Sequence, residues 1–390
     1  MLYNWIIDFE IEVFLVGGMF MKGRKPFDFW LFMAVLILLS VGIIIVFSAS
    51  APVSYSNYQD VYYILKKQLI YAILGVVAMF ITMNVDYRIY SRFATLMLVI
   101  SIVMLVAVLI PGIGIEENGA TRWLKYPIRF QPSEIAKIAI ILYFASSLSK
   151  RKTPLNSFFK DLLPYILIMG IFAALMLKQP HLSGTIILLL MATIILFCAG
   201  AKIKHFIAIL IPAGAAFAAL VTFVPKMNYM SRRILSFRDP WSDMQGDGYQ
   251  AVQSLYAIGS GGLFGRGLGK SMQKFLYLPY PHNDFIFSVL AEELGFLGVI
   301  TVMILFLIFT WRGVKVAMTA PDLFGSLTAV GITSLISVQT LLNIGVVTSA
   351  IPNTGVSLPL FSYGGTSLIL TMAAIGILLN ISRYSNYGRI

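Results

Sequence analysis

Apolar residues run along this chain in long blocks rather than in the short alternations of a soluble domain. A helix that crosses a bilayer needs about 20 mainly apolar residues. Blocks of that kind cover Trp30–Ser50, Gln68–Met83, Phe93–Ile110, Ser133–Ser149, Leu162–Leu177, Leu182–Ala199, Phe206–Val224, Asp284–Trp311, Leu323–Thr348 and Gly364–Ile381. The pattern predicts an all-α, polytopic membrane protein with about ten transmembrane helices. Residues 1–28 read as an N-terminal extension, 29–382 as the membrane domain and 383–390 as a tail. No long internal repeat stands out, which argues against a transporter built from two similar halves.

The polar residues between the blocks set an orientation. Loops on the amino-terminal side carry Lys22, Arg24, Lys25, Arg88, Arg92, Lys150, Arg151, Lys152, Lys160, Lys202, Lys204, Arg312, Lys315, Arg383 and Arg389. With the first turn of the chain set aside, they are opposed there only by Asp86, Asp161 and Asp322. Short loops rich in Lys and Arg stay in the cytoplasm, so both termini are expected to be cytoplasmic. Three loops then face outward, at about 111–132, 225–283 and 349–363. Basic residues on that side fall mostly in the first two, whose length makes them poor reporters of orientation.

Composition sharpens the picture. The chain has 390 residues, 58% hydrophobic and 12% charged, half the ~25% charge of a soluble domain. A net charge of +12 would point to nucleic acid in a soluble protein. Here the basic residues flank membrane spans, and no nucleic-acid partner is expected. Cys198 is the single cysteine, so an intrachain disulfide and a CxxC site are excluded. His181, His205 and His282 lack ligand spacing, and no protein-bound metal is expected. The first twenty residues hold Asp8, Glu10 and Glu12 with no basic lead, a poor signal peptide. Met19 or Met21, ahead of Lys22, would serve equally well as a start.

Candidate chemistry sits in the outward loops. The first pairs Arg122 with Trp123 and ends Phe130-Gln131-Pro-Ser-Glu134, with Pro132 starting a helix where its missing N–H costs nothing. Arg122 and Trp123 read equally well as a rim for an amphipathic anion or as an interfacial anchor. Glu134 and Lys137, three residues apart on one helix face, form either a simple ion pair or a pair lining a wet cavity. The second loop carries Arg232 and Arg233, then six glycines between 259 and 269 beside Arg266 and Lys270. Such amides and cations can cradle phosphate oxygens. Phe264 stands where a Walker A motif needs glycine, so a nucleotide loop is excluded.

That loop ends His282-Asn283-Asp284-Phe285 at the head of the eighth span. Asp284 is either an N-cap or, if Asn283 caps, a proton acceptor. Glu292 and Glu293 lie in the same span; on a continuous helix Glu292 is ~80° round from Asp284 and ~12 Å deeper. Two such carboxylates imply a polar cavity or buried partners, and Gln339 and Asn343 are candidate hydrogen-bond donors. The third loop, Ile351 to Thr366, is too rich in Gly and Pro for regular helix, and Ser362 and Tyr363 can help line a cavity.

These segments occur in one order between about Lys25 and Arg383: Ala120-Thr-Arg-Trp-Leu, Phe130-Gln-Pro-Ser-Glu-Ile-Ala-Lys137, Gln179-Pro180, Tyr249-Gln250, Ile258 to Gly269, His282-Asn-Asp-Phe-Ile-Phe287, Ala291-Glu-Glu-Leu-Gly295, Asn343-Ile-Gly345 and Pro359 to Gly365. Together they resemble the shape, elongation, division and sporulation (SEDS) family typified by RodA and FtsW. Met83-Asn-Val-Asp-Tyr resembles the division and sporulation branch more than RodA.

The resemblance implies a ten-helix fold and a peptidoglycan glycosyltransferase that polymerises lipid II onto an undecaprenyl-pyrophosphate-linked glycan at the outer leaflet. It implies a class B penicillin-binding protein as partner, Asp284 as the essential acid, and Gln131, Glu134 and Lys137 in a polar cavity. Two departures stand out: His181 follows Gln179-Pro180 where many relatives have Asp, and Asn283 precedes Asp284 where Thr is common.

The expected reaction inverts the donor sugar, with Asp284 as general base. Arg122, Arg233, Arg266 and Lys270 are candidates to bind the diphosphate, with Glu292 and Ser362 added to the substrate site. No cofactor is required, although a divalent cation can assist. The rival reading is a flippase using Glu134, Lys137 and Glu292 as a path; a third is a scaffold that tolerates loss of Asp284.

Overall fold

The computed structural model describes residues 26–385 except 118–119, 125–129, 154, 208–236, 247, 276 and 280. Among them, seven helices are long and apolar enough to cross a membrane. In chain order the helices are α1 (Phe29–Tyr58), α2 (Tyr63–Asn84), α3 (Arg88–Val108), α4 (Pro132–Ser149), α5 (Leu163–Lys178), α6 (Leu182–Cys198), α7 (Tyr249–Gly261), α8 (Ile286–Thr319), α9 (Leu323–Val347) and α10 (Gly365–Tyr384). A π-turn at Phe158–Leu162 leads into α5 and lengthens its span. Helix α6 is apolar but shorter, and α4 carries Glu134 and Lys137. Nine of the predicted spans fall on these helices. The remaining one, Phe206–Val224, lies outside the described residues beyond Ile207.

Caps and prolines start the helices where the sequence allows. Asp28 accepts from Leu31 N at 3.0 Å to open α1, Asp322 accepts from Gly325 N at 2.7 Å to open α9, and Pro132 heads α4. The spans alternate, so Asp28, Tyr87, Asp322 and Arg383 meet at one end, called here the near end. The described residues of the 111–131, 179–181, 240–285 and 349–364 segments gather at the far end.

Helix α2 packs along α10, where Thr82 Oγ1 donates to Ala373 O at 2.8 Å. At the near end Arg312 reaches Asp28 at 2.7 Å, both buried. Tyr87 donates its hydroxyl to Asp322, and Asn380 accepts from Tyr87 N while donating to Met83 O.

The structure departs from expectation in two places. The first outward loop is partly a β-hairpin, β1 (Gly114–Glu117) against β2 (Ala120–Leu124), antiparallel with Ile115 opposite Trp123. The eighth span is not one helix beginning at Asp284. Phe285 is its N-cap residue with no side-chain cap, α8 proper begins at Ile286, and Gly295 breaks it with φ 67°. Asp284 therefore has no helical relation to Glu292.

Gly295 is required on two counts. Its backbone is left-handed, and a Cβ there would lie 2.2 Å from Gly265 N. The break is mended by the glycine-rich loop: Arg266 N donates to Glu292 O, Gly267 N to Glu293 O, Phe296 N to Gly262 O and Leu297 N to Leu263 O, all at 2.9–3.1 Å. Past the break, residues 296–319 still extend about 36 Å at 1.5 Å per residue, enough to cross a ~30 Å hydrocarbon core.

Removing one partner of a buried ion pair costs about 3–5 kcal/mol. Asp28→Asn, which strands Arg312, is therefore expected to lower the thermal midpoint in detergent clearly, and adding Arg312→Met to recover part of the loss. An unchanged midpoint in Asp28→Asn would show that the pair does not hold the near end together.

Candidate active site

A polar pocket of about 180 Å³ opens at the far end. Strand β2 supplies Arg122 and Trp123, the start of α4 supplies Gln131, Glu134 and Lys137, and the start of α6 supplies His181, Ser183 and Gly184. Asn283 and Asp284 enter ahead of α8, Gln339 from α9, Gly355–Ser357 from the coil before α10, and Tyr363, Gly364 and Ser367 from the head of α10. Seven residues that the sequence offered as site or cavity residues thus share one cavity: Arg122, Trp123, Gln131, Glu134, Lys137, Asp284 and Tyr363.

Local bonding explains why Asp284 sits on coil. The three consecutive carbonyls of 282–284 are each claimed by a donor distant in the sequence rather than by a helical ladder. Tyr363 N donates to His282 O at 2.9 Å, Ser362 Oγ to Asn283 O at 2.7 Å and Asn343 Nδ2 to Asp284 O at 2.8 Å. Asn343, fully buried on α9, also donates to Val356 O at 2.6 Å. Ser362 Oγ in turn accepts from Leu358 N at 2.7 Å. Two segments of coil are thereby fixed to each other and to α9. Gly355, with φ 67°, lets the coil pass close to the carboxylate, since a Cβ there would lie 3.2 Å from Asp284 Oδ2.

The charges are arranged in opposite pairs. Glu134 Oε2 lies 2.9 Å from Lys137 Nζ, with the lysine side chain only 3% exposed. Arg122 reaches back to the carbonyls of Gln179 and Pro180, which orients the guanidinium beside the pocket. Gln179 is held in turn by Leu105 O at 2.9 Å. Burial, then the nearby Arg122 and Lys137, push the His181 imidazole down to about 3. Burial pushes His282 down to about 4. Both rings are neutral at physiological pH, so the charge of the pocket is carried by Asp284, Glu134, Lys137 and Arg122. Among the described residues no cluster of three or more His, Cys, Asp or Glu is placed to hold a metal.

The remaining candidates lie elsewhere. Ser362 is not in the pocket wall; it positions Asn283. Glu292 and Glu293 are fully buried under the glycine-rich loop. Glu292 accepts from Ser271 Oγ at 2.6 Å, Met272 N at 2.9 Å and Gln273 N at 3.3 Å, with Arg266 at 3.5 Å. Glu292 is thus satisfied by the segment that follows the glycine run, while Arg266 N and Gly267 N within the run go to the carbonyls of Glu292 and Glu293 rather than to a phosphate. Arg266 and Lys270 are exposed beside that loop and outside the pocket. Arg233 lies outside the described residues. Gln339 serves the coil rather than the glutamates, donating to Ser357 O at 3.0 Å.

Sequence reasoning missed Ser183, Gly355, Ser357 and Ser367 as wall residues. Gly355 alone carried a signal, as the glycine of an irregular segment beside a membrane.

The FtsW/RodA/SpoVE sequence model, described as a cell cycle protein, matches residues 29–387. Stage V sporulation protein E of Bacillus subtilis (strain 168) is 44% identical over 94% of this chain and 99% of its own. The probable peptidoglycan glycosyltransferase FtsW of Geobacter sp. (strain M18) is 39% identical over 93% of this chain and 98% of its own. Among solved structures, a chain of a peptidoglycan synthase complex that coordinates polymerization and crosslinking superposes with a TM-score of 0.77. It is 29% identical and covers 93% of this chain and 99% of that one.

Two outcomes are expected from this geometry. Asn343→Leu keeps the bulk and removes both donated bonds, so hydrogen exchange at the amides of Leu358 and Tyr363 should quicken; unchanged exchange would deny Asn343 its bracing role. Acid should also destabilise the fold. Above pH 6.5 the imidazoles are neutral folded and unfolded; as pH falls, the unfolded chain takes up protons near 6.5 and the folded His181 only near 3. Stability is lost across that window, and His181→Gln should flatten the fall in thermal midpoint. An equally steep fall would assign it to other groups.

Proposed function

The chain belongs to the FtsW/RodA/SpoVE family of cell cycle proteins, and from that footing we propose that it is a peptidoglycan glycosyltransferase polymerising lipid II, with Asp284 as general base. It is a multi-pass membrane protein. The observation that carries the mechanism is the meeting of Asp284 with Arg122, Glu134 and Lys137 in one pocket at the end of the helix bundle. Such a place suits reactants with polyprenyl tails in lipid and sugars in water.

In the proposed step the acceptor's GlcNAc 4-hydroxyl attacks C1 of the donor MurNAc. Asp284 takes the hydroxyl proton as the new C1–O bond forms. The bond from C1 to the undecaprenyl diphosphate breaks from the opposite side, so the α-linked donor gives a β-1,4 product. The diphosphate leaves as an anion and needs no strong general acid. Arg122 and Lys137 stabilise the charge that develops on it. Asp284 then returns its proton to solvent. The bracing of carbonyls 282–284 supports this reading, because a base must be held within hydrogen-bond reach of its proton.

The basic near-end loops support a cytoplasmic near end and a pocket on the outer face. The likeness to a chain of a synthase complex supports a cross-linking partner, which we take to be a class B penicillin-binding protein. The flippase alternative needs Glu134, Lys137 and Glu292 along one path. The enclosure of Glu292 by residues 271–273, away from the other two, favours the polymerase.

Purified protein with its partner and lipid II in detergent should yield glycan strands on a gel. Asp284→Asn should reduce them by at least ~100-fold, the lower bound for a positioned general base. Equal polymer from both proteins would remove Asp284 from the mechanism. EDTA added to the wild type is the control for a divalent ion.

A further inference from the structure

A second cavity, of about 520 Å³, opens between α1 and the glycine-rich loop. It is far more apolar than the polar pocket and shares no residue with it. Its size falls within the ~300–1,000 Å³ of small-ligand sites. Ile44, Phe47, Ala51, Pro52, Leu268 and Phe275 form the walls, and Ser48 and Lys274 form a polar end.

Helix α1 fixes the depth of this cleft. Asp28 and Arg312 pair at the near boundary, beside the exposed rings of Trp30 and Trp311, as aromatic belts do. At 1.5 Å per residue, Ser48 lies about 30 Å along α1 from Asp28. Ser48 and Glu293 are in contact, with Ser48 Oγ donating to Glu293 Oε1 at 2.6 Å. The distance along α1 matches the ~30 Å thickness of the hydrocarbon core. The cluster therefore marks the far boundary, and the cleft straddles it, with Ile44 below in the acyl region and Tyr55 above at headgroup level.

A cleft lined this way and open to lipid takes up apolar groups in preference to water. A void forfeits the dispersion contacts of its lining, and water needs polar partners that these walls do not offer. Its mouth, at Ile44, Tyr55, Leu268 and Phe275, is exposed, so it opens on the tails of the surrounding leaflet. The polar end adds a preference. Lys274 is 3% exposed, and its ammonium donates to Ser48 Oγ and Glu293 Oε1, each at 2.8 Å. An ammonium has three donors, so one is left for an acceptor in the cleft it lines. Arg266 and Lys274 pair with Glu292 and Glu293, and the exposed Lys270, next to the lining residue Gly269, leaves one positive charge in excess.

We propose that this cleft is a binding site for one anionic phospholipid of the far leaflet. One hydrocarbon chain lies between α1 and residues 268–275. A phosphate or ester oxygen takes the remaining Lys274 N–H, and Lys270 and Arg266 lie over the headgroup. The glycine-rich loop is then a lipid-gripping belt rather than a part of the reaction centre. The inference rests on the membrane embedding of the chain and not on the role given to Asp284.

The test uses the full-length protein in nanodiscs containing phosphatidylglycerol or phosphatidylcholine with a diazirine in one acyl chain, and mass spectrometry of the cross-linked peptides. Phosphatidylglycerol should label residues 44–55 and 268–275 above the lipid-facing surface of α3. Ala51→Phe, which fills the cleft, should bring that label to background while labelling of α3 persists as the check on folding. Lys270 is exposed, and Lys270→Ala should lower the preference for phosphatidylglycerol over phosphatidylcholine about fivefold, the equivalent of ~1 kcal/mol for one basic residue at a charged leaflet. Asp284→Asn should label as wild type, which separates this result from any failure of the polymerase mechanism. Uniform labelling of all lipid-facing helices, or no preference between headgroups, overturns the proposal. So does displacement of the label by equimolar undecaprenyl phosphate, which would give the cleft to polyprenyl chains.

Discussion

Backbone that leaves the helix at membrane depth must have its N–H and C=O groups claimed by protein, because lipid offers them nothing. The far end of this molecule is arranged around that constraint. Where α8 breaks at Gly295, the glycine-rich loop supplies the missing donors and acceptors. Where the chain runs as coil through 282–284, Tyr363 N, Ser362 and Asn343 take the three carbonyls in turn. Each repair locks two distant segments together, so irregular backbone becomes rigid backbone. A carboxylate placed on such a segment has a fixed direction without belonging to a helix.

Charges obey a related rule. An unpaired charge in the low-dielectric interior is costly, and a buried pair is tolerated only when its hydrogen bonds are filled. Asp28 pairs with Arg312 at one end of the bundle and Lys274 with Glu293 toward the other. Glu134 pairs with Lys137 too, but beside a polar cavity. The first two pairs clamp helices together; the third leaves donors and acceptors facing a space that a polar ligand can fill.

The spans were legible because apolar length is a strong signal, and α4, α6 and α9 begin within one residue of where the pattern places them. The pocket was partly legible. Arg122, Gln131, Glu134, Lys137 and Asp284 are polar residues set against apolar spans, and a membrane makes such residues conspicuous. The partners of Glu292 were not legible. Two glutamates in a span announce buried partners, but the sequence does not say that the backbone of 271–273 curls over them rather than over a phosphate. Nor does it show that Gly295, one glycine among many, ends a helix. That decision is tertiary, set by the approach of Gly265 to within a Cβ's radius.

The same logic explains why the candidate base lies ahead of α8 and not within it. Inside the first turn of a helix, Asp284 would spend its carboxylate on the orphan amides of the N-terminus, as Asp28 and Asp322 do. The N-cap position falls instead to Phe285, which has no side-chain acceptor. Asp284 is left on braced coil, with Gly355 allowing the opposite segment to pass without covering it. Kept from capping in this way, Asp284 lines the polar pocket together with Arg122, Glu134 and Lys137.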